Sequence, residues 1–484
     1  MTSVTPLNRS NPEAEGIPSS AILSFVRALE QHTHPLDAVH GFLLLRHGHV
    51  AAEGWWAPYE PEAPHRLYSL SKSFSSTGIG LAVAEGRLTV DDPVLGFFPD
   101  DAPENPGDNL KAMRVRHLLS MNTGHHEDTT PHVFWNADDN WPRAFLSLPV
   151  DHQPGTWFVY NTAATYMLSA IITKLTGQSL LDYLRPRLFE PLGIAHPAWD
   201  ADPRGVSIGG SGLHLTTEDI ARFGQLYLQR GMWNGRRILS EEWIAEATRA
   251  TSDNSNTQTN PDWTVGYGYQ FWRCRHDCYR GDGAFGQYCV IMPDQDAVLA
   301  INSGVRDMQE VLDKVWEHLL PAMQPRALPA DPHAYGELSA KLAALSLPMP
   351  QGKSSSPRAE QCSGSVYSLE QNDLRLERVA IDFGDERSVL AIHDGRGEHR
   401  ISVGSGTWVS GTTNMRGIGN EPVTACGAWT SEDTYEARVC YTEGEVCPVF
   451  RFHYTSDGLQ LDIDPNVSWD SPTVTRIAGR QEAI

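Results

Sequence analysis

The chain reads as an α+β protein: an antiparallel sheet flanked by helices, followed by an all-β unit in the form of a small antiparallel sheet or barrel. Three observations carry this reading. Strand patterns stand near both ends of the region 21–323, and amphipathic helical patterns lie between them. After a Pro- and Ser-rich passage, residues 347–358 (LPMPQGKSSSPR), the pattern changes to alternation in period two.

In order, residues 21–31 have helical spacing, and residues 42–45 and 50–56 flank the turn Arg46-His47-Gly48-His49 as a hairpin. Residues 164–175 put Met167, Leu168, Ile171 and Leu175 on one helical face, with Gly177 as the C-terminal cap. Residues 287–292 and 297–302 are β-rich runs around Pro293-Asp294, and residues 307–320 are helical. Strands from both ends of one region predict a single sheet that joins its N- and C-terminal segments. Beyond, Leu374-Arg375-Leu376, Ile381-Asp382-Phe383, Phe452-His453-Tyr454 and Leu459-Gln460-Leu461 alternate, and Asp394-Gly395 and Asp457-Gly458 are hairpin-turn dipeptides. Their spacing predicts about 8 strands. The division expected is 1–346, a linker at 347–361 whose Pro, Gly and Ser bury little, and 362–484.

The 484 residues are 40% hydrophobic and 20% charged, enough for more than one core. A net charge of −22 with a pI near 5.2 opposes a sequence-independent grip on nucleic acid or an anionic membrane. No apolar run approaches the ~20 residues of a membrane-spanning helix. Residues 1–18 are polar and carry no secretory pattern, so the expected location is cytoplasmic. Seven widely spaced cysteines are expected as free thiols in a reducing compartment.

Chemistry enters at Tyr68-Ser69-Leu70-Ser71-Lys72, which leads into a helical run ending at Ala84-Glu85-Gly86. With Ser69 at the helix N-terminus, Lys72 falls on the same face, about 5–6 Å away between Cβ atoms. A serine hydroxyl needs a base to become a nucleophile, and a lysine whose pKa is lowered by burial can serve. The helix N-terminus also offers N–H groups to a developing oxyanion. Alone, Ser-x-x-Lys arises by chance on the order of once in a chain this long. The plain alternative is an N-capping serine followed by a surface lysine. Of the six lysines, however, only Lys72 has a serine three residues before it. Downstream, Tyr160 stands at a loop-to-helix junction in Pro154-Gly155-Thr156-Trp157-Phe158-Val159-Tyr160. Its phenol can both donate and accept a proton, and a nearby Lys72 is expected to lower its pKa. The alternative there is an aromatic packing residue.

Further segments stand in a set order: Glu85-Gly86-Arg87-Leu88, Val115-Arg116-His117-Leu118-Leu119-Ser120, Gly209-Gly210-Ser211-Gly212 and Ala221-Arg222-Phe223-Gly224. In that order the chain resembles the serine β-lactamase and penicillin-binding-protein superfamily, in its class C-like, D-aminopeptidase and esterase branch. The resemblance implies a β-lactamase-like sheet with helices on both sides. It implies Ser69 as the acylated nucleophile, Lys72 as its partner and Tyr160 as the acid/base of a Tyr-x-Asn element. That element reads Tyr160-Asn161-Thr162 here, so the amide contact with substrate is either lost or supplied by Asn161. The third element, normally Lys-Thr-Gly or His-x-Gly, aligns with Gly281-Asp282-Gly283, although Arg280 is able to slide into register. The oxyanion donors implied are the main-chain N–H groups of Ser69 and Ala284. Without Lys or His, a substrate carboxylate meets Asp282 instead of a cation unless Arg280 points inward.

His125-His126-Glu127-Asp128 reads as a polar loop rather than a metal cluster, since contiguous residues rarely converge on one ion. It borders the site by resemblance, so His125 is a candidate substrate contact, and Trp157 and Trp135 are candidates for an apolar pocket. Cys274, Cys278 and Cys289 are expected to form neither a zinc site nor a disulfide. The function expected is acyl transfer from an ester or amide of a small molecule or peptide, with no metal or organic cofactor and no nucleic-acid or membrane partner. Fold does not choose among esterase, amidase, β-lactamase or DD-peptidase, and peptide-cyclising transacylase. A binding protein without turnover is the alternative from another class.

Overall fold

Strand pairing joins the two ends of the first unit. In the computed structural model, which describes residues 6–135, 139–255, 259–456, 458–470 and 473–482, a six-stranded antiparallel sheet carries the candidate site. Its order is His49–Trp55, Ala38–Arg46, Ala297–Gly304, Gln287–Met292, Tyr279–Gly283 and Trp272–Arg273. Ala38 pairs with Gly304 and Arg46 with Ala297, so the N-terminal hairpin lies against the C-terminal one. Ala38–Arg46 is buried along its whole length because both faces are covered. Leu43 and Leu45 enter the helix-rich layer. Phe42 and Leu44 enter the other layer, built on Ile22, Phe25 and Val26 of helix Ser19–Leu29 and on Val311 and Leu312 of helix Met308–Lys314. The sequence extended this last helix to residue 320; it continues instead as tighter or wider turns over Val315–Leu319 and Leu320–Ala322. Helix Thr162–Thr176 ends on Gly177 at φ +70°, a left-handed cap glycine adopts without strain.

The second sheet holds ten strands rather than about eight. Nine of them close into a barrel through the parallel pairs Gly404–Cys426 and Ser405–Gly427. Val409–Thr413 continues along the same edge of Glu421–Trp429. Alternate residues, among them Val379, Ile381, Leu390, Ile392, Val439, Phe452 and Leu461, fill the interior. Asp394-Gly395 turns the hairpin between Arg387–Asp394 and Gly397–Ser405 as expected; Asp457 lies outside the described residues. We place the division between the units within 347–361. Leu347 anchors this passage to the first core, and Ala359 anchors it to the barrel.

One cysteine expectation is corrected. Cys440 and Cys447 form a disulfide, because strands Thr434–Tyr441 and Val449–Tyr454 bring their Cα atoms to 4.0 Å at a hairpin end. Cys274, Cys278, Cys289, Cys362 and Cys426 are free and buried. Among the described residues, no helix is long and apolar enough to cross a membrane.

Candidate active site

Ser69 lies in the short turn Tyr68–Leu70 that opens into helix Ser71–Ala84. That helix is threaded through the core, with residues 71–82 buried, so Lys72 is cut off from solvent. Its Nζ is 2.8 Å from Ser69 Oγ, 3.0 Å from Thr162 Oγ1 and 2.7 Å from the Gly210 carbonyl oxygen. Burial pushes its pKa down to about 7, against a weaker upward pull from the Asp128 and Asp282 carboxylates. An amine at that value shares its proton with water at neutral pH. Once neutral, it can donate to Gly210 and Thr162 and turn its lone pair to the Ser69 hydroxyl.

Tyr160 is half-buried, stacked on Trp272 at 5.2 Å and edge-on to Tyr267 at 6.0 Å. The expectation that Lys72 lowers its pKa is corrected. Burial first, then Asp282, hold the phenol well above its ordinary value, and its interaction with the Ser69 hydroxyl pulls the other way. Lys72 Nζ stands over the ring, 4.9 Å from the centroid, and its nearness does not offset the burial. Lys72, not Tyr160, is therefore the group tuned to neutral pH.

Thr162 comes to the site through Lys72. Asn161 is fully buried and caps the helix it precedes, its Oδ1 accepting from the Ala164 N–H at 3.2 Å and from Thr129 Oγ1 at 3.0 Å. On the strand Tyr279–Gly283, Arg280 is fully buried and turned into the core. It pairs with Asp282 at 2.9 Å, donates to the Asp262 carbonyl at 2.7 Å and lies 4.1 Å over the Trp263 ring. Arg280 thus does not supply a cation to the cleft. Asp282 is buried too, and its charge is felt at Lys72 and Tyr160.

The glycines on this strand explain the close fit. A Cβ on Gly281 would stand 2.5 Å from Ser73 Oγ, and one on Gly283 only 2.0 Å from the Leu67 carbonyl oxygen. A lysine or histidine at position 281 would have to push the Ser73 and Leu70 side chains aside. Ala284 follows directly, half-buried, beside the turn that carries Ser69. His125 is buried against Phe145 at 4.9 Å and hydrogen-bonded to Thr123 at 2.9 Å, with burial lowering its pKa to about 4. It sits as a neutral packing residue. Trp157 is 41% exposed and stacks on His152 and His126 at the surface, and Trp135 is 80% exposed.

Three aromatic residues were missed. Tyr68 and Phe285 directly flank Ser69 and Ala284, at φ +47° and +67°, in the left-handed region that side chains usually avoid. Trp469 of the barrel unit contacts both. The Tyr68 hydroxyl donates to Oε1 of the buried barrel residue Glu445 at 2.6 Å. Adjacency to Ser69 and Ala284 was the available signal for the first two; the sequence holds none for Trp469 or Glu445. Cavities of about 1020 and 550 Å³ open elsewhere, around Arg222 and His196, and none of the residues above lines them.

Comparison with known proteins shows the family and the fold. The family described as Beta-lactamase matches residues 30–318. A 6-aminohexanoate-dimer hydrolase of Paenarthrobacter ureafaciens is 26% identical over 282 residues, 53% of this chain and 70% of that protein. The solved structure of EstCE1, described as a hydrolase with promiscuous acyltransferase activity, superposes with a TM-score of 0.52 at 17% identity, over 61% of this chain and 98% of that one. The structure of SurE covers 90% of this chain and 98% of its own, at a TM-score of 0.50 and 19% identity, so the likeness in fold extends into the barrel. With the matched segment running through the helix of Ser69 and every strand of the six-stranded sheet, the chain belongs to the Beta-lactamase family.

Proposed function

We propose that the protein is a serine hydrolase that works through an acyl-enzyme on Ser69, with uncharged esters or amides as substrates. The observation that carries this is the 2.8 Å approach of a fully buried Lys72 amine, tuned to about 7, to the Ser69 hydroxyl. Neutral Lys72 takes the Ser69 proton as Oγ attacks the carbonyl carbon. The main-chain N–H groups of Ser69 and Ala284 receive the oxyanion. The proton then passes to the leaving atom from Lys72, with the Tyr160 phenol, protonated at neutral pH, beside it as hydrogen-bond donor. Water then attacks the acyl carbon as it gives a proton to Lys72, and the tetrahedral intermediate collapses by breaking the Oγ–acyl bond while Lys72 returns that proton to Oγ, which releases the acid and restores the serine.

Preference for uncharged substrates rests on the strand Tyr279–Gly283. Position 281 carries no side chain, and Arg280 is spent inside the core on Asp282, so the strand offers no free cation. A substrate carboxylate finds no cation on this strand to hold it. Penicillins and peptides ending in a free carboxylate therefore rank below neutral esters and amides.

The test is labelling with a fluorophosphonate probe and turnover of p-nitrophenyl acetate, each compared with Ser69→Ala. Both signals are expected in the wild type and lost in the variant. Equal signals in the two proteins would remove Ser69 from the mechanism.

A further inference from the structure

The barrel reaches the candidate site by two loops. Asn466, almost fully buried, fixes the second of them: its side chain donates to the carbonyls of Glu445 at 2.8 Å and Gly304 at 3.3 Å and accepts from the Cys447 N–H at 2.7 Å. Arg306, from the end of the six-stranded sheet, clamps the Pro465 and Asn466 carbonyls at 2.6 Å each. Val467 is buried, yet Trp469, two residues on, is 75% exposed. The stretch that leads to Trp469 is thus tied down at residues 465–467, which narrows where the tryptophan can be presented.

What it faces gives the exposure a purpose. Its ring is 5.7 Å from Tyr68 and 5.0 Å from Phe285, and those two rings stand 5.7 Å apart, edge to face. Tyr68 precedes Ser69 and Phe285 follows Ala284, so the three rings border the two main-chain donors of the oxyanion. Stereochemistry then assigns the neighbouring substrate group. A tetrahedral carbon on Ser69 has its oxyanion at these donors, and its leaving atom must face Lys72 and Tyr160 to receive a proton. The remaining bond carries the acyl substituent, and the rings next in the chain to Ser69 and Ala284, with Trp469 against them, are the neighbours available to it.

We propose that Trp469 is a specificity-determining residue through which the C-terminal barrel selects the acyl group. With Tyr68 and Phe285 it forms the wall against which an aromatic or extended aliphatic acyl chain packs. This inference rests on the acyl-enzyme reading above for its orientation. The chemical class it names is esters and amides of arylacetic or medium-chain fatty acids.

Two measurements on the full chain test it. The first is the ratio of kcat/KM for p-nitrophenyl phenylacetate over p-nitrophenyl acetate. It is expected to fall about tenfold in Trp469→Ala and to stay near the wild-type value in Trp469→Phe, since an aromatic contact of this size is worth roughly that factor. The second is calorimetric binding of phenylacetamide to Ser69→Ala, expected to weaken about tenfold when Trp469→Ala is added. An unchanged ratio, or equal binding by the single and double variants, overturns the wall. Turnover that persists in Ser69→Ala would count against the acyl-enzyme reading instead, and the binding comparison would still decide the role of Trp469.

Discussion

Lys72 donates to the Gly210 carbonyl oxygen at 2.7 Å, a contact that only a nitrogen keeping at least one proton can make. Loss of one of its three protons leaves that bond and the one to Thr162 intact, and frees a lone pair for Ser69. The amine is held in place for a change of charge state.

The pH dependence follows with its sign. Only neutral Lys72 accepts the serine proton, and its fraction grows as pH rises through the folded value of about 7. We expect kcat/KM for a neutral ester to climb through that pH and level off above it. Asp128, an exposed carboxylate that pulls Lys72 upward, is absent as a charge in Asp128→Asn, so the rising limb should move to lower pH. A profile that falls through neutrality, or a limb that shifts upward, rules out Lys72 as the base. Lys72→Arg should lose on the order of 10³-fold in kcat/KM and the limb with it.

Thr162→Val keeps the side-chain shape and deletes the oxygen 3.0 Å from Lys72 Nζ. We expect kcat/KM to drop about tenfold, the value of one hydrogen bond to a group that alternates between charged and neutral. Steady-state kinetics on p-nitrophenyl acetate would read this directly. Unaltered kinetics would mean that Gly210 alone orients the amine.

Tyr68→Phe removes the donor to Glu445 and leaves a buried carboxylate oxygen without its partner. The expected loss of stability is about 1–3 kcal/mol, measured by urea unfolding. Tyr68→Phe with Glu445→Gln should recover part of it, because the neutral amide is cheaper to leave buried.

Gly283→Ala would drive a Cβ to 2.0 Å from the Leu67 carbonyl oxygen, and neither partner is a flexible side chain. The strand must then move away from the turn that bears Ser69. We expect about 10²-fold lower kcat/KM, as small misplacements of reacting groups cost. Thermal unfolding should reveal about 1–3 kcal/mol of destabilisation as well. A fully active variant would show that the Ala284 N–H tolerates displacement.

Much of this site could be read in advance because its chemistry is local. Ser69 and Lys72 share one helical turn, and Tyr160 precedes a helix with clear spacing. Asn161 carries a readable signal of another kind, an Asn directly before a helix, which caps it through Oδ1. Arg280 was ambiguous for a different reason. Period two assigns it to a face of the strand, but which face is buried depends on pairing with Gln287–Met292 and on Trp263, neither visible from its own segment. Trp469 and Glu445 were beyond reach, since their partner Tyr68 is separated from them by most of the chain. The pKa of Tyr160 is set by its burial and by Asp282 from a distant strand, neither of which its own segment encodes.

The pairing of Ala38–Arg46 with Ala297–Gly304 also sets an order of events during synthesis. The first hairpin leaves the ribosome long before its neighbour exists, with one edge of backbone amides and carbonyls unpaired until residue 297 and beyond have been translated. The intervening helices cannot finish their layer without that sheet as a floor. Nascent chains of this protein therefore stay adhesive for most of their translation, and their yield in a cell depends on what shields that edge in the meantime.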